Sequence, residues 1–513
     1  MSRFKPRRIY AVVGVPPEVQ AYGMARYSRS SQGMLESIRE LSQEKAEKFL
    51  ETFYFQYGHR SVADLAHVAL GIEQISLLSA IAVVDEPVWD GQERSTRYQP
   101  FRRTGWYVPP GLSGSAVEVE YNATVEALFS AYEQLSESLL RLLTNAIPRP
   151  EAMEQAGYQR TLRARAFDVA RYLLPLATHT SVGQIVSARV LERQISRLRS
   201  SDYPELQAIG RELQEACRVP AEAPLLEDPD PNDPDAERAP LSRPRATPTL
   251  VKYAEPSVYQ QETRRGLFAA AAEHLAGLGV PDRSRTVELA TPVGDPLDEL
   301  VATLLYKHDR AGHSYRQIVQ AVASFSARRK REILDLSVGH RGQHDEFLRE
   351  HQAGYSLVFD VLMDVGSFRD LHRHRRCVQV LQPSTWDHGF DPPEQIFESG
   401  LGRPVATLAA NEGLIDRFET TLRDSSRAAE RVADIDPLAA DYLMPLAYRT
   451  RCLFKMDWAQ AAYIIELRTG PTGHFSYRQV AWEMYRELRA RYPALAEPIR
   501  AVDPGRPIDL LQR

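Results

Sequence analysis

The residues best suited to chemistry stand at 366–376, Gly366-Ser367-Phe368-Arg369-Asp370-Leu371-His372-Arg373-His374-Arg375-Arg376. Ser367 is placed to cap a helix and Asp370 to reach back to it, the reciprocal arrangement of a capping box. On such a helix Arg369, Arg373 and Arg376 share a face, with His372 beside them. Free amide donors, the positive end of the helix dipole and guanidinium forks together suit the holding of phosphates. Taken alone, the run reads as a solvated basic face.

A second polar stretch, Glu93-Arg94-Ser95-Thr96-Arg97-Tyr98, reads alone as a solvated turn, and His59 alone as a structural histidine. His340 and His344 can share a helical face near Asp345, but a third convincing ligand is missing, so no metal centre is expected. There is neither a Walker loop nor a GxGxxG. Any phosphate or dinucleotide must be held by arginines.

These residues need elements to position them. The run 355–365 before the basic stretch is apolar and partly alternating, which predicts a buried strand. Tyr10–Val15 reads as a short strand ending at Pro16, and Ala25–Ser28 as a polar turn. Apolar spacing predicts a helix over 32–57 with Gly58 as its C-cap. A strand is expected over Leu65–Ile72, and a buried helix over Ser76–Val84 that breaks by Pro87. Long amphipathic helices follow over 116–145, 150–174 and 183–216. Residues 219–249 are rich in Pro, Asp and Ala, and read as an extended linker rather than a packed element.

At 513 residues the chain has room for about two to four domains. Its 43% hydrophobic and 26% charged residues are ordinary for a globular protein. A net charge of −5 speaks against a general nucleic-acid binder, so a basic site must be local. Three cysteines without CxxC spacing suggest a reducing compartment and no disulfide framework. No signal-peptide pattern and no spanning apolar run is present, so a cytoplasmic protein without a membrane partner is expected.

The chain repeats itself. Arg171-Tyr172-Leu173-Leu174-Pro175-Leu176-Ala177-Thr178-His179-Thr180 is matched by Asp441-Tyr442-Leu443-Met444-Pro445-Leu446-Ala447-Tyr448-Arg449-Thr450. Gly58-His59-Arg60 is echoed by Gly339-His340-Arg341. In each half a strand and then a helix fall between these landmarks. We read a duplicated domain, with copies at 1–218 and 250–513 and the linker at 219–249.

With these residues in view, the chain resembles the flavin-dependent thymidylate synthases along both halves. Their signature has the form R-H-R-x-x-S-x-N-E-x-S-x-R-Y. Here it is split: the second half keeps Arg373-His374-Arg375, while the first has Asp85-Glu86-Pro87 there but keeps Glu93, Ser95, Arg97 and Tyr98. Arg171 precedes the first LPL segment where the second half has Asp441. The family's N-x-R pair reads Ser187-Ala188-Arg189 in the first half and Asp457-Trp458-Ala459 in the second.

The resemblance implies an α+β fold of two tandem copies, each a sheet flanked by long helices. It also implies one composite pocket that draws on both halves. Glu93, Ser95, Arg97 and Arg171 would hold the nucleotide, with Arg373 approaching its phosphate from the facing half. Arg468 would read the pyrimidine carbonyls. Arg373, His374, Arg375, Ser61, Asp64 and Arg189 would touch FAD, and His59 would stand beside it. The implied reaction is methylation of a uracil nucleotide at C5 (dUMP to dTMP), with methylenetetrahydrofolate and NADPH as co-substrates and no protein nucleophile. The family is tetrameric, so a homodimer of fused halves is expected. The alternative reading is a catalytically retired nucleotide- or flavin-binding scaffold.

Overall fold

The computed structural model describes residues 15–27, 46, 60–101, 105–221, 245–252, 254–290, 296–340, 348–351, 357–497, 499–505 and 509–511. The chain divides into two compact units: Met1–Gly71, Val88–Gln92 and Gly183–Ser257 form the first, and Ile72–Pro87, Glu93–Val182 and Val258–Arg513 the second. The second unit therefore takes segments from both sequence halves.

The strands are β1 (His67–Ser76), β2 (Asp90–Glu93), β3 (His179–Ser187), β4 (Val287–Ala290), β5 (Leu357–Asp364), β6 (Val378–Leu381) and β7 (Arg449–Met456). They form a three-stranded sheet in the order β1-β3-β2 and a four-stranded sheet in the order β4-β5-β7-β6. In the second sheet β5 lies antiparallel to β7, with Phe359 opposite Phe454 and Val361 opposite Cys452. Every residue of β5 is buried, as its nearly continuous apolar run predicts. Its charged residues are Asp364, at the end, and Asp360, which is satisfied by Arg451 at 3.0 Å, the Tyr306 hydroxyl at 3.0 Å and the Tyr315 amide at 2.7 Å.

Four of the strands, β1, β3, β5 and β7, feed a capped helix, and the caps repeat. Ser76 accepts from the Ser79 amide at 2.9 Å and opens helix Leu77–Val83. Asp364 accepts from the Ser367 amide at 2.7 Å and opens helix Val365–Leu371. Likewise Ser187 opens helix Ala188–Arg199, and Asp457 opens helix Trp458–Thr469.

The duplicated segments pair with each other in the second unit. Pro175 and Pro445 face each other in an antiparallel bridge. Leu176 N donates to Met444 O at 2.9 Å and Ala177 N to Tyr442 O at 2.8 Å, while Leu446 N donates to Leu174 O at 3.0 Å and Ala447 N to Tyr172 O at 3.2 Å. Their flanks repeat too: Leu77 N donates to Thr178 O at 2.9 Å, as Val365 N does to Tyr448 O at 2.9 Å. This is a pseudo-two-fold arrangement inside one chain.

In the first unit, helix Pro17–Tyr27 places buried Glu18 to accept from Thr247 Oγ1 at 2.9 Å and from the amides of Thr249 and Leu250, each at 2.8 Å.

Several local expectations are corrected. The helix start is one turn earlier than Ser367, because the Asp364 carboxylate takes the capping role. That helix ends at Leu371, so Arg373 and Arg376 lie beyond it and share no helical face with Arg369. Residues 183–216 are not one helix: β3 runs to Ser187 with alternating burial, and Pro204 starts a fresh helix. The 150–174 helix starts only at Gln155 and closes in a short turn at Arg171–Leu173. The strand expected at Leu65 starts at His67, after a turn over Arg60–Leu65. Ala25–Tyr27 continues a helix rather than a turn. The end of the Pro/Asp-rich stretch is packed: Thr247 and Thr249 are buried around Glu18. The expectations for 10–14, all of 32–57 but Ala46, and 222–244 fall outside the described residues. Among the described residues no helix is long and apolar enough to cross a membrane.

Candidate functional site

The stretch after β2 sets the first-half residues. The Arg94 amide bonds Ser181 O at 3.0 Å, and a turn follows in which Ser95 Oγ accepts from the Arg97 amide at 3.2 Å. The turn directs Arg97 inward, where it is 7% exposed. Its Nε donates to Asp168 Oδ1 at 2.9 Å and its Nη1 to the Tyr477 hydroxyl at 3.1 Å. Burial works against the Arg97 charge, but Asp168 and Tyr477 outweigh it and raise the pKa.

Arg171 ends helix Gln155–Ala170 and is 1% exposed. Its Nη1 and Nη2 each lie 3.2 Å from Asp370 Oδ2, and Nη1 lies 3.4 Å from Thr96 Oγ1. Arg171 Nε is buried without a partner. The guanidinium passes close to Gly366, where a Cβ would come within 3.3 Å of Nη2. Burial pushes the Asp370 carboxyl up, but Arg171 and Arg97 hold it below the ordinary aspartate value. Glu93 pairs with Arg369, both side chains nearly buried.

The second-half residues meet this group in the same unit. Arg468 Nε donates to His374 Nε2 at 2.7 Å, so the imidazole is neutral with its proton on Nδ1. Burial, and then Arg468 and Arg375, push His374 down to about 3. Arg468 and Arg97 both lie over the Tyr477 ring, at 5.2 and 5.6 Å. Tyr477 thus links the first-half Arg97 to the second-half Arg468. Arg373 is exposed, and its charge adds to the lowering of Asp370.

The first-half counterpart of Arg373-His374-Arg375 also finds partners. Asp85 pairs with Arg349 and lies 3.4 Å from His372 Nε2, while Arg349 Nη2 donates to Asp85 O at 2.8 Å. These residues, with Glu86, Arg375 and Gln379, line a cavity of about 150 Å³. Burial, relieved in part by Asp85 and reinforced by Arg349, lowers Arg375 to about 10.

Of the residues singled out in the sequence, Glu93, Ser95, Arg97, Arg171, Arg373, His374, Arg375 and Arg468 all belong to the second unit. Asp64 and Arg189 belong to the first, where they form an ion pair at 2.8 Å. His59 and the Ser61 side chain lie outside the described residues. The sequence reading missed Asp168, Tyr477 and Arg349, gave Arg369 only a place on a basic face and Asp85 only that of a lost signature arginine, and gave Asp370 only a capping role. A signal existed: an arginine expected to be buried requires a carboxylate, and Asp168 stands three residues before Arg171.

Residues 14–220 and 293–494 match the sequence profile of the family described as thymidylate synthase complementing protein. A UPF0159 protein of Chlamydia muridarum is 25% identical over 96% of this chain and 92% of its own length. A flavin-dependent thymidylate synthase of Mycobacterium sp. is 29% identical over 32% of this chain and 61% of its own length. Among solved structures, the flavin-dependent thymidylate synthase of Helicobacter pylori complexed with FAD and dUMP is 14% identical, covering 39% of this chain and 89% of that chain with a TM-score of 0.23.

Proposed function

We propose a function from one premise: this chain belongs to the thymidylate synthase complementing protein family, matched by one segment in each half. The reading is flavin- and folate-dependent methylation of a uracil nucleotide at C5, with methylenetetrahydrofolate and NADPH as co-substrates. The observation that carries it is the meeting of Arg97, Tyr477, Arg468 and His374, which joins both halves within one chain.

Each residue has a part in this reading. Arg97 and Arg171 hold the nucleotide phosphate, Ser95 orients Arg97, and exposed Arg373 adds charge at the entrance. Arg468 reads the pyrimidine carbonyls, its Nε aligned by the neutral His374 ring. Glu93 fixes Arg369.

FAD is tested against the donor set. Arg375 is a partly buried cation, depressed first by burial and then by the nearby Arg349. Arg349 is held by Asp85, so the fit to the anionic part of the cofactor rests on Arg375. The cavity beside them, about 150 Å³, is below the size of a full cofactor pocket, so it would hold only part of the cofactor. Bound FAD would supply the hydride. His374 is proposed as a further contact.

A specific observation favours a second reading. Asp168 and Asp370 already fill the forks of Arg97 and Arg171. A protein that keeps the architecture but closes its phosphate forks would be a binding or regulatory relative without catalysis. Two measurements separate the readings. FAD uptake with quenched flavin fluorescence supports flavin binding. Tritium release from C5-labelled dUMP with FAD, NADPH and methylenetetrahydrofolate supports methylation. Uptake without release selects the second reading, and absence of both defeats the first.

We further propose domain copies at 1–218 and 250–513 and a cytoplasmic homodimer in which two fused halves per chain replace four subunits. Light scattering should then give twice the 58.0 kDa chain mass. Neither nucleic acid nor membrane is a proposed partner.

A further inference from the structure

Away from the arginine–tyrosine group, several buried polar atoms on the elements around His388 in the second unit have no hydrogen-bond partner among the described residues. They are Arg283 Nε, Gln382 Oε1, Trp386 Nε1, His388 Nδ1, His388 Nε2 and Arg451 Nε. Their positions are linked. The Gln382 amide donates to Arg451 O at 3.0 Å, and Gln382 Nε2 to His313 O at 3.2 Å. The His388 ring lies against Gly312, where a Cβ would come within 2.6 Å of its Cε1. Gly312 has φ +75°, so glycine is favoured there twice over. Arg449 donates to His388 O from Nε at 2.8 Å and Nη2 at 2.6 Å.

Leaving a buried polar atom unsatisfied is costly, and native proteins keep few such atoms. Six in one cluster call for a polar guest. Donors predominate: two guanidinium Nε–H groups, the indole N–H and one imidazole N–H. Carboxylates are present but engaged at other atoms: Asp360 on Arg451 Nη1 at 3.0 Å, Asp391 on Arg449 Nη1 at 3.6 Å and Asp387 near Arg283 Nη2 at 3.9 Å. Asp309 holds His313. Burial first, then Arg451, Arg283 and Arg449, push His388 down to about 3, against a smaller opposing pull from Asp309. Gln382 Oε1 and the bare imidazole nitrogen are acceptors, which an O–H on the guest would satisfy. Hydrogen phosphate and phosphate monoesters carry both features. The Arg283 and Arg449 side chains are 29% and 22% exposed, so the cluster reaches solvent.

We propose that Arg283, Arg449, Arg451, Trp386, Gln382 and His388 form a site for a small phosphate oxyanion, free or as the end of a monoester. The site belongs to the second half alone. In the first half His179 stands where Arg449 does, each donating its amide to a glycine carbonyl, Gly105 at 3.1 Å and Gly389 at 2.8 Å. Duplication supplied the frame, and arginine substitution made the site.

The test titrates the full chain with inorganic phosphate, and separately with ribose 5-phosphate, at ionic strength matched with chloride. Binding of either, followed by calorimetry, is expected, and the stronger of the two identifies the source. Arg283→Gln and Arg449→Gln, both partly exposed positions, should each weaken it about tenfold. Arg328→Gln, at an exposed arginine outside both sites, should leave it unchanged, which separates the site from general surface charge. Ring NMR of labelled histidine, assigned with His388→Gln, should show His388 protonating at higher pH with the anion bound. Absence of binding beyond chloride would mean that water fills the cluster, and the proposal fails. It fails equally when Arg283→Gln and Arg449→Gln bind as wild type.

Discussion

Arg171 and Asp370 stand on opposite sides of the linker in sequence, yet both terminal nitrogens of Arg171 reach a single oxygen of Asp370 at 3.2 Å. A guanidinium fork of this kind is what binds a phosphate. In this chain a carboxylate from the other half fills it.

Asp370→Asn therefore has two opposed effects. Without nucleotide the Arg171 charge loses its buried partner, which costs about 3–5 kcal/mol. With dUMP present the freed fork takes the phosphate, and affinity rises about tenfold. Thermal melts with and without dUMP should diverge more for the variant than for wild type. An equal dUMP-induced shift in both proteins would show that Arg171 does not face the phosphate.

Arg97 and Arg468 share the face of Tyr477, one from each half of the same chain. Arg97→Ala and Arg468→Ala should each remove nucleotide binding, at about 2–5 kcal/mol or at least thirty-fold. Dimers co-expressed from the two variants should recover nothing, because every site keeps one lesion. Recovery of half the binding would place the two arginines of a working site in different chains.

What the sequence made legible was the repeat and the periodic elements. Helix Ala116–Ala146 announced itself through apolar spacing. The tandem relation followed from the matched LPL segments, which turn out to be the segments that touch. Local propensity could not show that Asp364 rather than Ser367 caps the basic stretch, since both types suit the position. Nor could it show that Asp168 meets Arg97, because that contact is made across 71 residues. The arginines were visible in one dimension, and their neutralising partners only in three.

His374 and His372 are buried neutral, pushed down to about 3 and about 4. Their ordinary value is near 6.5, so between pH 6.5 and 4 the unfolded chain binds protons that the folded chain refuses. Stability should fall with acidification across that window, by up to about 1.4 kcal/mol per pH unit for each histidine. Buried Asp360 and Asp364, raised by burial, act in the opposite sense above the usual aspartate value. The difference between wild type and His374→Gln isolates the histidine. Urea midpoints at pH 7 and pH 4.5 should differ less in the variant, and an equal loss in both would mean that His374 titrates normally.

The last prediction concerns the paired LPL segments. Ala177 N donates to Tyr442 O at 2.8 Å and Ala447 N to Tyr172 O at 3.2 Å, and both alanines are buried. Proline at either position removes one cross-half hydrogen bond and constrains the residue before it. The pseudo-two-fold relation makes the two lesions equivalent, so Ala177→Pro and Ala447→Pro should cost similar amounts, about 2–4 kcal/mol each. The bonds join segments of the two sequence halves inside one compact unit, so each variant should lower a single shared unfolding transition, followed by calorimetry. Were the halves to unfold independently, Ala177→Pro would shift one transition and Ala447→Pro another. That outcome would remove the basis for treating the two split signatures as parts of one site, since their arginines would then rest on separately unfolding frames.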